Sequence, residues 1–176
     1  MPFDDRNGHV ARRVRDTIGF DHRRMIMTTH HYTESGLDNV FIEGILIERD
    51  DEGDEVITIP AINELHRVIA IGIVSHEKGM SGPELRYLRS EMGLTQAELA
   101  TVVHRDKQSI GRWERGEVEI DSTAETLIRQ MAIEKLNLPF RDGIDTLSQR
   151  SVPTAETQPI KIHAKDGGNS GYSLAA

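Results

Sequence analysis

Leu94-Thr-Gln-Ala-Glu-Leu-Ala-Thr-Val-Val-His-Arg-Asp-Lys-Gln-Ser-Ile-Gly-Arg-Trp-Glu-Arg-Gly116 is the stretch whose reading decides the fold. Leu99, Ala100 and Val103 fall at helical spacing and make one face of a short helix; Ile110 and Trp113 do the same for a second. Thr95 stands three residues before Glu98, the spacing of a capping box, in which a hydroxyl and a carboxylate satisfy the orphan amides that open a helix. Only His104-Arg105-Asp106 links the two helices, and so short a link imposes a sharp crossing rather than an antiparallel hairpin. Asp106 is placed to cap the second helix, and Ala100 is small where the two must approach. With Ile110 and Trp113 turned inward, the second helix presents Lys107, Gln108, Gly111 and Arg112 outward. A short helix bearing cations and an amide matches the ~12 Å major groove of duplex DNA.

Working outward, Ser81…Glu84 and Ser122…Glu125 repeat the capping-box spacing, and each opens a segment of apolar periodicity that brings in Leu85 and Leu88 on one side. These signals predict helices over about 82–92, 95–103, 107–115 and 122–136. Upstream, Ile62, Leu65, Ile69 and Ile73 predict a helix over about 61–77, with Pro60 at its start. Val40, Ile42, Ile45 and Ile47 alternate as a strand with an irregularity at Gly44. Asp50-Asp51-Glu52-Gly53 reads as a turn, and Val56, Ile57 and Ile59 as the returning strand. A lone hairpin is marginal in water, so the 61–77 helix is expected to cover it. The expected fold is mainly α: an acidic ββα module over 28–79, with a small N-terminal β-hairpin, then a four- to five-helix domain over 80–138. Residues 1–27, rich in arginine, read as a disordered basic leader, and 139–176, rich in Ser, Thr, Pro and Gly, as a largely disordered tail.

Composition narrows the function. The chain has no cysteine, which excludes disulfides, cysteine-based zinc fingers and thiol nucleophiles. No run approaches the ~18 apolar residues of a membrane span, and the charged N-terminus lacks a signal-peptide core, so the expected location is cytoplasmic. The formal net charge is −8. It is segregated: residues 28–80 hold eleven acidic and three basic side chains, whereas 81–116 hold six basic and five acidic, a balance of +1. Nucleic acid remains open as a partner because only one face must be positive. His30-His31, His66 and His76 lack the spacing of a shared metal site, and no nucleophile elbow, P-loop or dinucleotide fingerprint is present. No enzyme, metal or cofactor is expected.

The quoted segment resembles the Xre/Cro-type helix-turn-helix, through Leu94-Thr95-Gln96, Glu98-Leu99-Ala100, Ile110 and Trp113-Glu114-Arg115-Gly116. It departs from the family where His104 holds the turn position usually given to glycine, and Arg105 the apolar one after it. The resemblance implies a core of Leu85, Leu88, Leu99, Ala100, Val103, Ile110 and Trp113, and a structural ion pair between Arg89 and Glu114. It implies base reading by Lys107, Gln108 and Arg112, and DNA-backbone contacts by Thr95, Gln96, Ser109, Arg115 and the Gly116 amide, with Arg105 open between a phosphate contact and plain exposure in the turn. The implied protein is a nucleoid-associated regulator of transcription, a homodimeric repressor on a palindromic operator in double-stranded DNA. Helix 122–136, with Leu127, Met131 and Leu136, is a candidate dimer surface, the alternative being that it packs against its own helix-turn-helix.

A looser likeness covers about 28–137. Tyr32-Thr-Glu-Ser-Gly-Leu-Asp-Asn-Val40, Leu65-His66-Arg67 and Gly82-x-Glu84-Leu85-Arg86-Tyr87-Leu88-Arg89 resemble YgiT/MqsA-type regulators, without their zinc-binding cysteines. That likeness implies an antitoxin whose acidic module meets a basic toxin protein while the chain represses its own operon. It begins near Met27, which makes residues 1–26 an expected upstream extension.

Overall fold

The computed structural model describes residues 26–49, 54–141, 143–152 and 157–175. In chain order the elements are β1 (Ile26–His31), β2 (Val40–Arg49), β3 (Glu55–Ile57), α1 (Ile62–Ser75), α2 (Gly82–Glu91), α3 (Gln96–Val102), α4 (Lys107–Glu114), α5 (Ser122–Lys135), α6 (Ile144–Arg150), β4 (Ile160–Ala164) and β5 (Tyr172–Leu174). The architecture is mainly helical, with strands preceding the helices and a helix-turn-helix domain within them. The disordered-leader reading of residues 1–27 fails at its end, where Ile26 and Met27 open β1; residues 1–25 and the acidic turn at 50–53 lie outside the described residues.

The sheet is larger than a hairpin. β2 and β3 pair antiparallel, Ile47 opposite Ile57, but β1 pairs along the other side of β2. β4 then adds parallel to β2, Val40 opposite Ile160, and β5 antiparallel to β4. The described residues of 139–176 therefore do not form a largely disordered tail: they supply α6 and two strands of a five-stranded sheet. Composition masked this because the strands are short and sit among loop-forming residues. The alternation of Ile160, Ile162 and Ala164, all buried, against exposed Lys161 and His163 is the signal that was there.

Gly44 is the bulge: its φ is 83° and the β1–β2 register slips beside it. The slip keeps Val40 and Ile42 on one side of it, and Ile45 on the other, all on the buried face. α1 packs there with Leu65, Ile69 and Ile73 fully buried, while Ile62 stays exposed. Pro60 precedes the helix rather than starting it, since Ala61 is the N-cap. One continuous core runs from Val40 and Ile69 through Leu85 and Leu99 to Ile128, and it takes in Ile160 and Tyr172.

Two helix starts carry complete capping boxes, Ser81 with Glu84 and Thr95 with Glu98. The third does not. Asp121, one residue ahead of Ser122, accepts the Ala124 amide at 3.0 Å and is the cap of α5. Glu125 is thereby released to the interior, where it accepts the Met80 amide at 2.9 Å and pairs with Arg129.

Helices α2 to α5 all end alike. Gly93, His104, Gly116 and Asn137 take positive φ of 69°, 53°, 68° and 48°. The amide beyond each returns to the third carbonyl from its helix end: Leu94 to Arg89, Arg105 to Ala100, Glu117 to Arg112 and Leu138 to Ile133. This is the Schellman closure, which satisfies orphan carbonyls and turns the chain back over its last turn.

Candidate nucleic-acid interface

α4 is held from one side. Ile110 is fully buried and Trp113 5 % exposed, both in the common core. Asp106 caps the helix by accepting the Ser109 amide at 2.8 Å and the Ser109 hydroxyl at 2.9 Å, bonds that hold its carboxyl below the usual carboxylate range. Lys107, Gln108 and Arg112 are exposed on the opposite side. Gly111, expected to face outward, is buried instead: a Cβ there would lie 3.1 Å from the Arg115 guanidinium, which folds over it.

Behind the helix, the Glu114 carboxylate gathers three helices. Arg89 of α2 donates to it at 2.5 and 3.3 Å, and the Gln96 side-chain amide of α3 at 2.8 Å. Arg89 also donates to the Leu94 carbonyl at 2.7 Å, fixing the link from α2 to α3. Each end of this network is largely shielded from water, so it locks the angle at which α4 is presented. A Gln amide carries two protons, which leaves one on Gln96 for an outside acceptor.

The other residues expected at DNA are distributed around the rim. Thr95 and Arg105 are exposed, Ser109 is half-buried, and Arg115 is exposed. Arg105 pairs with Asp121 at 3.4 Å. The Gly116 amide donates to the Trp113 carbonyl at 3.0 Å within the helix end, so it is not available to a phosphate. The sequence reading also missed Glu117, whose carboxylate reaches Arg115 at 2.6 Å and Arg112 at 3.7 Å. The glycine at 116 was its signal, because a Schellman end brings the next residue back beside the helix.

Three histidines have local partners. His31 stacks on Phe41 with ring centroids 4.7 Å apart. His66 sits between Glu91 at 3.1 Å and the Tyr32 hydroxyl at 3.3 Å. His76 lies 3.6 Å from Glu84. Among the described residues, no group of three or more His, Asp or Glu is placed to hold a metal ion, and no helix is long and apolar enough to cross a membrane.

Residues 85–130 match the family model described as helix-turn-helix. The match spans most of α2, all of α3 and α4 and most of α5, the part of the chain that carries the Glu114 network and the exposed face of α4. It supports a DNA-binding regulator of transcription, since that family is a DNA-binding regulatory domain rather than an enzymatic one. No curated protein and no solved structure matches the chain.

Proposed function

We propose that this protein is a homodimeric repressor that reads a palindromic operator with α4. The observation that supports this most directly is the two-sided character of that helix: Ile110 and Trp113 buried behind it, Lys107, Gln108 and Arg112 exposed in front. Gln108 suits adenine N6/N7, and Lys107 and Arg112 suit guanine O6/N7. Thr95, Gln96, Arg105, Ser109 and Arg115 surround that face and contact backbone phosphates, which position without reading sequence. Two copies place their α4 helices in successive major grooves, about 34 Å apart. Bound at a promoter, such a dimer blocks polymerase.

The test is selection of duplexes from a random pool by the full chain, followed by titration of the enriched sequence. Q108A and R112A each weaken the enriched site by about 1–3 kcal/mol and broaden its sequence preference. Q96A weakens all duplexes evenly. A triple K107A/Q108A/R112A protein that enriches the same sequence as wild type overturns the assignment of α4 as the reading helix.

A second reading rests on charge. Residues 28–80 hold eleven acidic and three basic side chains, a complement to a basic protein surface. In this reading the chain is an antitoxin that also represses its own operon. A neighbouring reading frame encoding a small basic toxin favours it, and binding of that purified toxin to the chain tests it.

A further inference from the structure

The arginines at the end of α4 already hold an anion of the chain's own. Gly116, at φ 68°, turns the backbone so that the Glu117 amide donates to the Arg112 carbonyl at 3.0 Å. That closure brings the Glu117 side chain back beside the helix. One carboxylate oxygen accepts Arg115 Nε at 2.6 Å and the other Arg115 Nη2 at 3.3 Å, a two-pronged contact. The second oxygen also lies 3.7 Å from Arg112 Nε. All three side chains are about half exposed or more. The hydrogen bond from Arg115 holds the Glu117 carboxyl below the usual carboxylate range, so it is charged at neutral pH.

We infer that Glu117 is an internal stand-in for DNA phosphate: its carboxylate occupies the anion position shared by Arg112 and Arg115, and so restrains binding to non-cognate duplex. The inference rests on the DNA-binding reading above. A guanidinium fork receives carboxylate and phosphate with the same geometry. On a non-cognate duplex, where binding is almost wholly phosphate contact, the two arginines merely exchange one anion for another, and the displaced Glu117 is left near phosphates that repel it. On the cognate site, base contacts from Lys107, Gln108 and Arg112 add a gain that the exchange does not cancel. Exposed ion pairs are weak, so the carboxylate yields once those contacts form. Glu117 thus acts on the ratio of cognate to non-cognate affinity. Asp121 holds Arg105 in a similar way at 3.4 Å, but it also caps α5, so its replacement would disturb the fold. Among the described residues, the Glu117 side chain meets Arg112 and Arg115 and caps no helix.

The experiment uses the full chain as wild type, E117Q and E119Q. Each is titrated by fluorescence anisotropy against a random-sequence duplex pool and against the duplex that wild type enriches, between about 50 and 200 mM salt. Glu119 is exposed close by, and its replacement makes the same change in net charge. E117Q is expected to bind the pool roughly 5- to 10-fold tighter at the low-salt end, with a salt slope steeper by about one phosphate contact, ~0.9. Its gain on the enriched duplex is smaller, so its selectivity falls, and E119Q changes the pool affinity far less. Equal slopes and affinities for E117Q and wild type overturn the inference while leaving the DNA-binding reading intact. So does equal tightening by E119Q, which would make the effect one of net charge. Weaker binding by E117Q overturns it too, since Glu117 would then be holding the arginines in their binding pose. Failure of wild type and E117Q alike to bind either duplex overturns both readings together. Coincident thermal melts of the three proteins establish that the fold is unchanged.

Discussion

Arg129 and Glu125, one turn apart on α5, form an ion pair at 2.8 Å that is closed to water, with Arg129 0 % exposed. The guanidinium does more than neutralise the acid. It donates to the carbonyls of Ile73, Val74, His76 and Lys78, at and just beyond the end of α1. The carbonyls of Ile73, Val74 and His76 are among those that a helix leaves without partners as it ends. A side chain from the helix-turn-helix segment therefore finishes the helix that covers the sheet, and this joins the two halves of the chain.

Replacing Arg129 should accordingly be severe. R129M leaves the Glu125 carboxylate buried without its cation and strips donors from α1, and breaking such a pair costs about 3–5 kcal/mol. The double variant R129M/E125L removes the stranded charge and should recover part of that loss. Recovery should be incomplete, because the α1 carbonyls and the Met80 amide still lack partners. Urea unfolding of the three proteins measures both steps; a single variant within 1 kcal/mol of wild type, on the order of an ordinary surface change, would contradict this account.

The turn of the helix-turn-helix holds a correctable strain. His104 sits at φ 53°, where an L-residue costs about 1–2 kcal/mol and glycine does not. Its side chain is exposed, so little packing is lost with it. Glycine also gains freedom in the unfolded chain, which offsets part of the relief. H104G should therefore raise unfolding stability by about 0.5–1 kcal/mol, with unchanged DNA affinity. A destabilised H104G protein would mean that the imidazole supports the turn in a way its exposure does not suggest.

Acid should weaken the junction beside Arg129. Burial pushes the His76 imidazole below its ordinary value, against the pull of Glu84 at 3.6 Å and with the help of the Arg129 and Lys78 cations. The unfolded chain then takes up this proton before the folded one does. The stability His76 provides is present above its ordinary pKa, ~6.5, and is lost as pH falls from there toward the folded value. H76Q should flatten that part of the curve. The measured quantity is the difference between wild type and H76Q across pH 5 to 7, roughly the range in which histidine changes charge. Parallel curves would remove His76 from the linkage.

What the sequence made legible follows from how local each signal is. The capping boxes at Ser81 and Thr95, the bulge at Gly44 and the inward pair Ile110 and Trp113 all depend on a few neighbouring residues, and each is present in the structure. Asp121 displaced Ser122 because two adjacent residues both suit a cap, and spacing alone does not choose between them. The capping role of Arg129 was unreadable for a different reason: its carbonyl partners lie more than fifty positions away, on groups that any sequence carries. At the candidate interface, residue types pointed to α4, whereas the pairing of Arg112 and Arg115 with Glu117 required the geometry of the helix end.

The C-terminal strands give the sharpest separation between composition and structure. If residues 153–176 were a solvated tail, a chain ending at Val152 would melt as wild type does. The structure argues otherwise. Ile162 is fully buried, Ile160 and Tyr172 nearly so, and the Tyr172 hydroxyl donates to the Pro60 carbonyl at 2.7 Å. β4 also pairs with the first half of β2, so truncation strips partners from the strand whose Val40 and Ile42 are central to the core. Each large apolar side chain removed forfeits about 1.5–3 kcal/mol of burial, against a total stability of about 5–15 kcal/mol for an ordinary domain. The truncated chain should therefore be unfolded or aggregated at room temperature by circular dichroism and gel filtration. I162A in the full chain, losing about 2–5 kcal/mol, should lower the melting temperature without abolishing the fold. A truncated protein that melts cooperatively at the wild-type temperature would show that β4 and β5 are not part of the sheet in solution.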